Sequence, residues 1–280
     1  MLKVRCCNCK NKNYIPAFRD IVICSKCGFA YVPLIFSDEE IKKYWQKSRY
    51  SNHQKRLTWY CKRISVFKHI SKFIENRKTL DIGTGIGMLP AILRNKGVEA
   101  YGLDLSLDAI EFGRKFFNLN DNILFCSDIK NIEEIFDCIT MVNSAIFFDF
   151  DELLCIINRL LSKDGRLIIR DINYTYEKLI SCIRKDKFTG KQSFPGGYRW
   201  IIKCDALKKA LKERGFTKII IKSSPIFEDT FGKKIFGKVY YLLSEFLRII
   251  TLSKLIITPA VLVIADRQVP SQAVCKFTCN

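Results

Sequence analysis

The segment LDIGTGIGML, residues 80–89, carries an aspartate, Asp81, and then three glycines that alternate with other residues. The glycines are Gly83, Gly85 and Gly87. After a short apolar run, glycines at this spacing let the chain turn tightly and bring backbone N–H groups close to a ligand. The spacing differs from the dinucleotide-binding pattern G-x-G-x-x-G, because Met88 stands where its third glycine would be. No lysine follows as in a P-loop, so the pattern excludes that triphosphate site.

Two further carboxylates follow the next two apolar runs: Asp104 ends YGLD, and Asp128 ends CSD. In a doubly wound sheet the carboxyl ends of neighbouring strands meet at one edge, so Asp104 is expected beside the glycine loop, where it can accept hydrogen bonds from ribose hydroxyls. Asp128 can accept one from an adenine amino group, or it can simply cap the helix that follows. Three carboxylates around a glycine loop suit a neutral or cationic nucleoside better than a pyrophosphate.

Two cysteine pairs near the N-terminus have the spacing of metal ligands. Cys6-x-x-Cys9 and Cys24-x-x-Cys27 are separated by fourteen residues, and Gly28 permits a tight turn after the second pair. Four thiolates at this spacing predict a closed, tetrahedral and structural zinc site, with Cys7 as a bystander. The alternative is four free cysteines in a core, but so short a segment has little core of its own.

The composition is that of a folded, basic protein. The chain has 280 residues, 48% of them hydrophobic, which is enough for one α/β domain with an appendage. Its formal net charge of +19 attracts nucleic acid, anionic lipid or phosphorylated small molecules, or it reflects solvated lysines spread over the surface. The chain opens on MLKVRC without the apolar region of a secretory signal, which predicts a cytoplasmic location. In that reducing compartment, spaced cysteines are interpreted as metal ligands before disulfides.

The elements that position these residues alternate along the chain. Strands are predicted at 78–82, 98–106, 122–128, 136–144, 166–173, 217–224 and 257–267. Helices are predicted at 37–46, 54–75, 88–97, 106–118, 150–165 and 203–216. This alternation predicts an α/β fold in which a doubly wound, seven-stranded, mainly parallel sheet is covered by helices on both faces.

The same pass along the chain divides it into regions. We expect a zinc-ribbon-like module at 1–36, a helical linker or cap at 37–76, a catalytic domain at 77–267 and a C-terminal tail at 268–280. A helical insertion at 233–256 interrupts the large domain before its last strand.

Five stretches resemble, in order and spacing, the motifs of class I S-adenosylmethionine-dependent methyltransferases: LDIGTGIG, YGLDLS, CSDI, FDCITMVNS and LLSKDGRLIIRDIN. The resemblance covers residues 60–267 and implies a Rossmann-like fold with S-adenosylmethionine as methyl donor. It implies that Asp81 and the glycines line the methionine part, Asp104 the ribose and Asp128 the adenine. The implied cofactor-binding residues are Asp81, Gly83, Gly85, Gly87, Asp104, Leu105, Asp128, Ile129 and Asn143.

A zinc-ribbon-like segment before such a core resembles a bacterial-type subgroup of these enzymes. Members of that subgroup often act on sugars or in cell-surface glycan pathways, so the resemblance implies a small-molecule acceptor such as a sugar nucleotide or another cell-envelope precursor. Zinc-ribbon methyltransferases that modify ribosomal RNA also exist, and the net charge of +19 keeps RNA as an alternative acceptor. A third alternative is a cofactor-binding scaffold without catalytic activity.

The catalytic base is not evident from the sequence. Many relatives carry a histidine after the fourth strand, but this chain reads NSAIFFDFDE there, and its two histidines, His53 and His69, precede the core. His69 is interpreted as a packing or helix-surface residue. The base candidates near the strand ends are Asp149, Asp171 and Tyr198, each with an alternative role in capping or packing.

Two segments between the later elements are candidates for partner contacts. FPGGYRW (194–200) is either a substrate lid, with Gly196 and Gly197 as a hinge and Arg199 gripping a phosphate or carboxylate, or a loop anchored by Trp200. The insertion 233–256 has an apolar face that predicts packing on the domain, a homodimer contact or a membrane-surface helix.

Overall fold

The computed structural model describes residues 1–46, 57, 60–75, 77–193, 197–225, 231–252 and 255–268. The N-terminal segment forms two small antiparallel sheets around its cysteines. Their strands are β1 (Leu2–Lys3), β2 (Tyr14–Phe18), β3 (Ile21–Cys24), β4 (Ala30–Tyr31) and β5 (Leu34–Ile35), with orders β1-β5 and β2-β3-β4.

This segment shares its core with the rest of the molecule. The buried ring of Phe29 lies 4.7 Å from that of Phe150 and 5.5 Å from that of Trp200, measured between ring centroids. Aromatic pairs of this kind add about 0.5–1.5 kcal/mol to the free energy gained by burial. The cysteine-bearing segment is therefore tied to the large domain by apolar packing as well as by the chain.

The remaining strands form one seven-stranded sheet, which confirms the predicted fold class. The strands are β6 (Thr79–Ile82), β7 (Ala100–Asp104), β8 (Leu124–Cys126), β9 (Phe136–Val142), β10 (Leu161–Ile172), β11 (Phe216–Ser223) and β12 (Ala260–Arg267). Their order is β11-β12-β10-β9-β6-β7-β8, and β12 runs antiparallel to both of its neighbours. The strand order reverses between β6 and β9, and ligands of open α/β sheets bind at such a switch point.

Helices cover the sheet because their apolar stripes need burial. Those described are α1 (Asp38–Gln46), α2 (Ile64–Ser71), α3 (Met88–Arg94), α4 (Leu107–Phe117), α5 (Phe150–Leu160), α6 (Tyr174–Arg184), α7 (Cys204–Lys212) and α8 (Phe231–Ile250). In α5, for example, Leu153, Leu154 and Ile157 are fully buried, while Glu152 and Arg159 are exposed.

The predicted and observed elements agree in order and differ at their ends. Strand β10 begins at Leu161, five residues before the predicted start at 166, because α5 passes directly into the strand without a loop. The predicted helix 54–75 lies partly outside the described residues, and its described helical segment is α2. Helix α8 accounts for most of the predicted insertion. Across the described ranges, no helix combines the length and apolar character that crossing a bilayer requires.

Candidate functional site

The glycine loop connects β6 with α3 at the switch point of the sheet. Gly83, Gly85 and Gly87 all have positive φ angles, between 60° and 77°, which side chains other than glycine rarely adopt. Both Gly83 N and Thr84 N donate hydrogen bonds to the carbonyl of Leu103, at 2.8 and 3.0 Å. A Cβ atom on Gly83 would collide with the side chain of Ser144. The loop is therefore held against β7 and against the residue that follows β9 in a conformation that requires glycine.

Asp81 lies beneath this loop and is buried. Its Oδ1 accepts a hydrogen bond from Thr140 Oγ1 at 2.6 Å. Burial and, to a smaller degree, the nearby Asp104 carboxylate raise the pKa of Asp81 to about 7, against the opposing effect of hydrogen bonds from Thr140 and Thr84. Asp81 thus supports the loop from below.

Asp104 joins the glycine loop to the next helix. Its Oδ2 accepts a hydrogen bond from Gly85 N at 2.8 Å, and its Oδ1 accepts one from Ser106 N at 2.9 Å. Ser106 in turn caps α4 by accepting from Ala109 N. These contacts fix the carboxylate at the carboxyl end of β7, where it faces the adjacent cavity.

A cavity of about 400 Å³ opens at this edge of the sheet. The predicted cofactor-binding residues that line it are Gly83, Asp104, Leu105, Asp128, Ile129 and Asn143. The other three, Asp81, Gly85 and Gly87, do not line it. The volume is in the range of sites for small molecules and cofactors. The lining carries six carboxylates against three cationic side chains, so the cavity is acidic in a protein whose net charge is +19.

The polar groups near the adenine end of the predicted site already have partners. Asp128 Oδ1 caps a short 3-10 turn by accepting from Lys130 N at 3.1 Å, as the capping alternative predicts, and Oδ2 lies 3.3 Å from Lys42 Nζ. Ile129 is buried beside it. Asn143, at the end of β9, has a φ angle of 58° and accepts a hydrogen bond from buried Arg170. Whether these residues bind a cofactor stays a prediction.

Helix α1, in the segment predicted as a helical linker or cap, lies over the cavity. Ser37 and Glu40 form the reciprocal hydrogen bonds of a capping box at its start, with Ser37 N to Glu40 Oε2 at 2.8 Å. The Trp45 ring lies 4.8 Å from that of Phe147, and Asp38 forms an ion pair with Arg199. The residues of this helix that line the cavity are Asp38, Glu39, Ile41, Lys42 and Trp45. Its capping box identified the helix, but no local signal showed what it covers.

The base candidates occupy mainly structural positions. Asp149 lines the cavity, but its Oδ1 caps α5 and pairs with Lys10 Nζ at 2.8 Å. Asp171 is fully buried, and this burial raises its pKa to about 7 although Arg170 opposes the shift. The hydroxyl of Tyr198 donates to Asp20 at 3.0 Å, and burial raises the pKa of Tyr198.

Within the described ranges, no histidine lines the cavity. His69 lies on α2, packed between the rings of Phe73 and Tyr241 and outside the cavity lining. His53 lies outside the described residues.

The segment predicted as a lid is only partly described, since Gly196 lies outside the described residues. Trp200 is fully buried, and its Nε1 donates to the Phe148 carbonyl at 3.0 Å, as an anchored loop requires. The Arg199 side chain reaches the cavity and is 13% exposed, whereas that of its partner Asp38 is 78% exposed.

The four predicted metal ligands converge near the N-terminus. The sulfur atoms of Cys6, Cys9, Cys24 and Cys27 all lie within 4.8 Å of one another. Cys6 Sγ is 3.6 Å from Cys27 Sγ, and Cys9 Sγ is 3.5 Å from Cys24 Sγ. Zn–S bonds of about 2.3 Å in a tetrahedron place sulfurs about 3.8 Å apart, so the cluster has the size that zinc requires.

The electrostatics of this cluster differ from one cysteine to the next. Burial raises the pKa of Cys9 to about 11. Burial also acts to raise the pKa of Cys24, but hydrogen bonds from the Cys27 and Lys26 backbones outweigh it and lower that pKa to about 7. Backbone N–H groups that stabilise a thiolate are typical of the turns that bind structural metals. Cys7, by contrast, is buried against α5, where its carbonyl accepts a hydrogen bond from Asp151 N at 2.9 Å.

The strand order and the glycine loop with carboxylates at the switch point are those expected of a class I S-adenosylmethionine-dependent methyltransferase. A family model for the methyltransferase domain matches residues 49–220. This match spans more than half of the chain, and the chain therefore belongs to that family of methyltransferase domains. A sequence search of curated proteins gives no match.

Solved structures of methyltransferases share the fold. A Thermotoga maritima enzyme termed a possible histamine N-methyltransferase aligns over 79% of this chain and 97% of its own, with 17% identity and a TM-score of 0.52. Phosphoethanolamine N-methyltransferase 2 of Haemonchus contortus aligns over 84% and 61%, with 13% identity and a TM-score of 0.54. The plantazolicin methyltransferase BpumL, solved with S-adenosylhomocysteine, aligns over 82% and 95%, with 19% identity and a TM-score of 0.50. Their acceptors differ, so the likeness concerns the fold.

Proposed function

We propose that this methyltransferase modifies a small-molecule acceptor, such as a sugar nucleotide or another cell-envelope precursor. The observation that carries the proposal is the position of α1 over the cavity, with Trp45 packed on Phe147 and Lys42 close to Asp128. A helix in this position leaves a space of about 400 Å³, which suits one small ligand beside a cofactor better than a polynucleotide.

The cavity is proposed to hold S-adenosylmethionine, which supplies an electrophilic methyl group on a positively charged sulfur. The acidic lining suits this cationic cofactor. In this proposal the glycine loop faces the methionine part, and Asp81 supports the loop. Asp104, held by Gly85 N and Ser106 N, accepts from the ribose hydroxyls. Asp128 and its neighbours Ile129 and Leu105, together with Asn143, surround the adenine.

Arg199 is the proposed anchor for an anionic acceptor. Its side chain is largely buried at the cavity, while its partner Asp38 is mostly exposed and can swing away into solvent. A phosphate or carboxylate of the acceptor would then take the place of Asp38 and bind the guanidinium in a bidentate manner. Holding the acceptor in line with the methyl group, away from water, is the main contribution that the protein makes to methyl transfer.

The cysteine cluster is proposed to bind one structural zinc ion. Four thiolates would complete the coordination of zinc and leave no position for a substrate. The contacts of this segment with α5, through Phe29 and Lys10, give the metal a role in holding the N-terminal sheets and α1 against the domain.

Acceptor labelling tests the proposal. The enzyme is incubated with S-adenosylmethionine that carries a radioactive methyl group, together with either nucleotide-sugar fractions or total RNA. We expect label in the small-molecule fraction, and a KM for that acceptor at least tenfold higher, about 1.4 kcal/mol, in Arg199→Ala. Arg184→Ala, at the exposed end of α6, is the matched control and leaves the KM unchanged. Label found only in RNA would contradict the proposal, and so would an unchanged KM in Arg199→Ala.

A further inference from the structure

Helix α8 presents its apolar side to solvent. Six residues fall within one third of the helix circumference, and each of these residues is between 49% and 64% exposed. We name this set the apolar stripe: Val239, Leu242, Leu243, Phe246, Ile249 and Ile250. It extends over twelve residues, or about 17 Å of helix. A continuous apolar stripe of this length, exposed on the surface of a folded domain, marks an interaction surface.

The opposite, polar side of α8 is fixed against the domain by specific contacts. Ser244 is fully buried, and its hydroxyl lies 2.8 Å from that of Ser223. Glu245 accepts a hydrogen bond from Ser223 N at 2.7 Å and pairs with Arg248 at 2.9 Å. The hydroxyl of Tyr240 donates to the Ile257 carbonyl at 2.6 Å. Rotating the helix to bury its stripe would break all of these contacts, so the outward orientation is built into the fold.

A basic cavity of about 480 Å³ lies beside the stripe, between α2 and α8. Lys68, Lys72 and Lys238 line it, together with His69 and Ser65. Within the described part of the chain, the buried atoms His69 Nε2 and Ser65 Oγ have no hydrogen-bond partner. Burial lowers the pKa of His69, and the positive charges of Lys72 and Lys222 lower it as well, against the opposing effect of Glu245. Cationic side chains beside unpartnered polar atoms are suited to an anionic group such as a phosphate.

We propose that the apolar stripe and this basic cavity together form a docking surface for a membrane that contains anionic lipid. The helix would lie in the plane of the interface, with Leu242 and Phe246 among the acyl chains and a lipid phosphate in the cavity near Lys68 and Lys72. The lysines of the basic cavity attract an anionic membrane. A second copy of the chain, docked by the same surface, would bring two sets of lysines together, and these would repel each other. The inference rests on α8 and α2, and does not depend on the acceptor proposed above.

Vesicle sedimentation tests the docking surface. The full chain is mixed with vesicles of phosphatidylcholine alone or with about one third phosphatidylglycerol. We expect sedimentation with the anionic vesicles only, weakening as salt is raised. The double variant Leu242→Glu with Phe246→Glu should lose binding, and Lys68→Glu with Lys72→Glu should weaken it at least tenfold. Ile135→Glu, an exposed apolar position before β9, is the matched control and should bind as the wild type does.

The outcomes separate the membrane from other partners of the stripe. Circular dichroism and S-adenosylhomocysteine binding establish that each variant is folded. Wild-type protein that stays in the supernatant, or glutamate variants that sediment normally, would overturn the proposal. A dimer in analytical ultracentrifugation that Phe246→Glu converts to a monomer would also overturn it, in favour of a second copy.

Discussion

The cysteine cluster and the cavity at the sheet edge both gather polar side chains, but they do so in different ways. In the cluster, four sulfurs converge within 4.8 Å and leave no room for another molecule. In the cavity, carboxylates such as Asp104 and Asp128 are spread around about 400 Å³ of open space, and each is held partly by backbone N–H groups. The first arrangement can only hold an ion, whereas the second leaves room for a ligand to enter and leave.

The two sites also differ in how they depend on the rest of the fold. The cluster is assembled by two tight turns within the first 27 residues, Cys6 to Cys9 and Cys24 to Cys27. The cavity takes lining residues from Asp38 to Arg199, so it exists only once the sheet and α1 have come together. Loss of the cluster should therefore act on stability, while changes at the cavity should act on binding.

The largest effect expected from this comparison is at the cluster. Replacing Cys24 and Cys27 together by serine should reduce zinc from about one ion per chain to none, because two ligands cannot hold a tetrahedral site. Structural zinc contributes on the order of 10 kcal/mol in small metal-binding segments, so the N-terminal sheets should unfold. Elemental analysis measures the zinc content, and thermal unfolding measures the loss of stability. Cys61→Ser with Cys182→Ser, two exposed cysteines outside the cluster, is the control. Zinc retained by the first double variant would refute the metal site.

The next effect concerns the glycine loop. Gly83→Ala places a Cβ against Ser144, whose hydroxyl is already tied to the Ile82 carbonyl, and we expect a loss of about 3 kcal/mol in unfolding free energy. Gly97→Ala is the matched control, because Gly97 has a similar φ of 79° but open space around it. Urea titration of that variant should show a loss of only about 1 kcal/mol in unfolding free energy. Equal losses would show that the contact with Ser144 is unimportant.

The buried Asp81 predicts a dependence of stability on pH. A carboxyl whose folded pKa is raised to about 7 holds its proton more tightly in the folded chain, so its contribution is present at low pH and is lost as pH rises towards 7. Asp81→Asn should remove this pH-dependent loss. Between pH 5 and pH 7 the unfolding free energy of the variant should therefore rise by roughly 2 kcal/mol relative to that of the wild type. Urea unfolding of the ligand-free protein measures it, with exposed Asp108→Asn as control. Parallel pH curves for wild type and Asp81→Asn would contradict the burial argument.

At the cavity we expect an effect on ligand binding. Asp104→Ala removes the proposed acceptor of the ribose hydroxyls and should weaken S-adenosylhomocysteine binding at least tenfold, about 1.4 kcal/mol. Asp108→Ala, four residues on and exposed in the first turn of α4, is the matched control. Unchanged affinity in Asp104→Ala would remove this residue from the site.

The smallest effect is expected from helix α1, which lies over the cavity. Trp45→Ala removes the ring that packs on Phe147 and should weaken S-adenosylhomocysteine binding about threefold, since the contact is aromatic packing above the ligand. Titration by calorimetry can resolve this difference. Tyr14→Ala, an aromatic change on β2 outside the cavity lining, should leave the affinity unchanged. A Trp45→Ala affinity equal to wild type would show that α1 does not contact the ligand.

Most of the fold could be predicted from the sequence because its signals are local. The alternating strand and helix patterns predicted the seven strands of the large sheet in their order along the chain, and the Cys-x-x-Cys pairs identified the cluster. The start of β10 could not be predicted, because Leu161 serves both as the end of α5 and as the beginning of the strand.

The site was predicted less completely, because its lining depends on distant parts of the chain. The glycine loop and Asp104 have a motif, and the structure places Gly83 and Asp104 at the cavity. No motif predicts that Trp45 and Lys42 lie over the cavity, because nothing in the sequence of α1 shows which surface the helix packs on. Likewise, the structure shows α8 turned with its apolar residues outward, whereas amphipathicity alone would have placed them inside.

Calorimetric titration of the purified protein with S-adenosylhomocysteine, and with NAD as the competing class of cofactor, tests the central claim most directly. The glycine loop, the acidic lining and the family match predict a dissociation constant in the micromolar range for S-adenosylhomocysteine and no heat with NAD. Binding of NAD alone, or of neither molecule, would contradict the assignment of this cavity to the methyl donor.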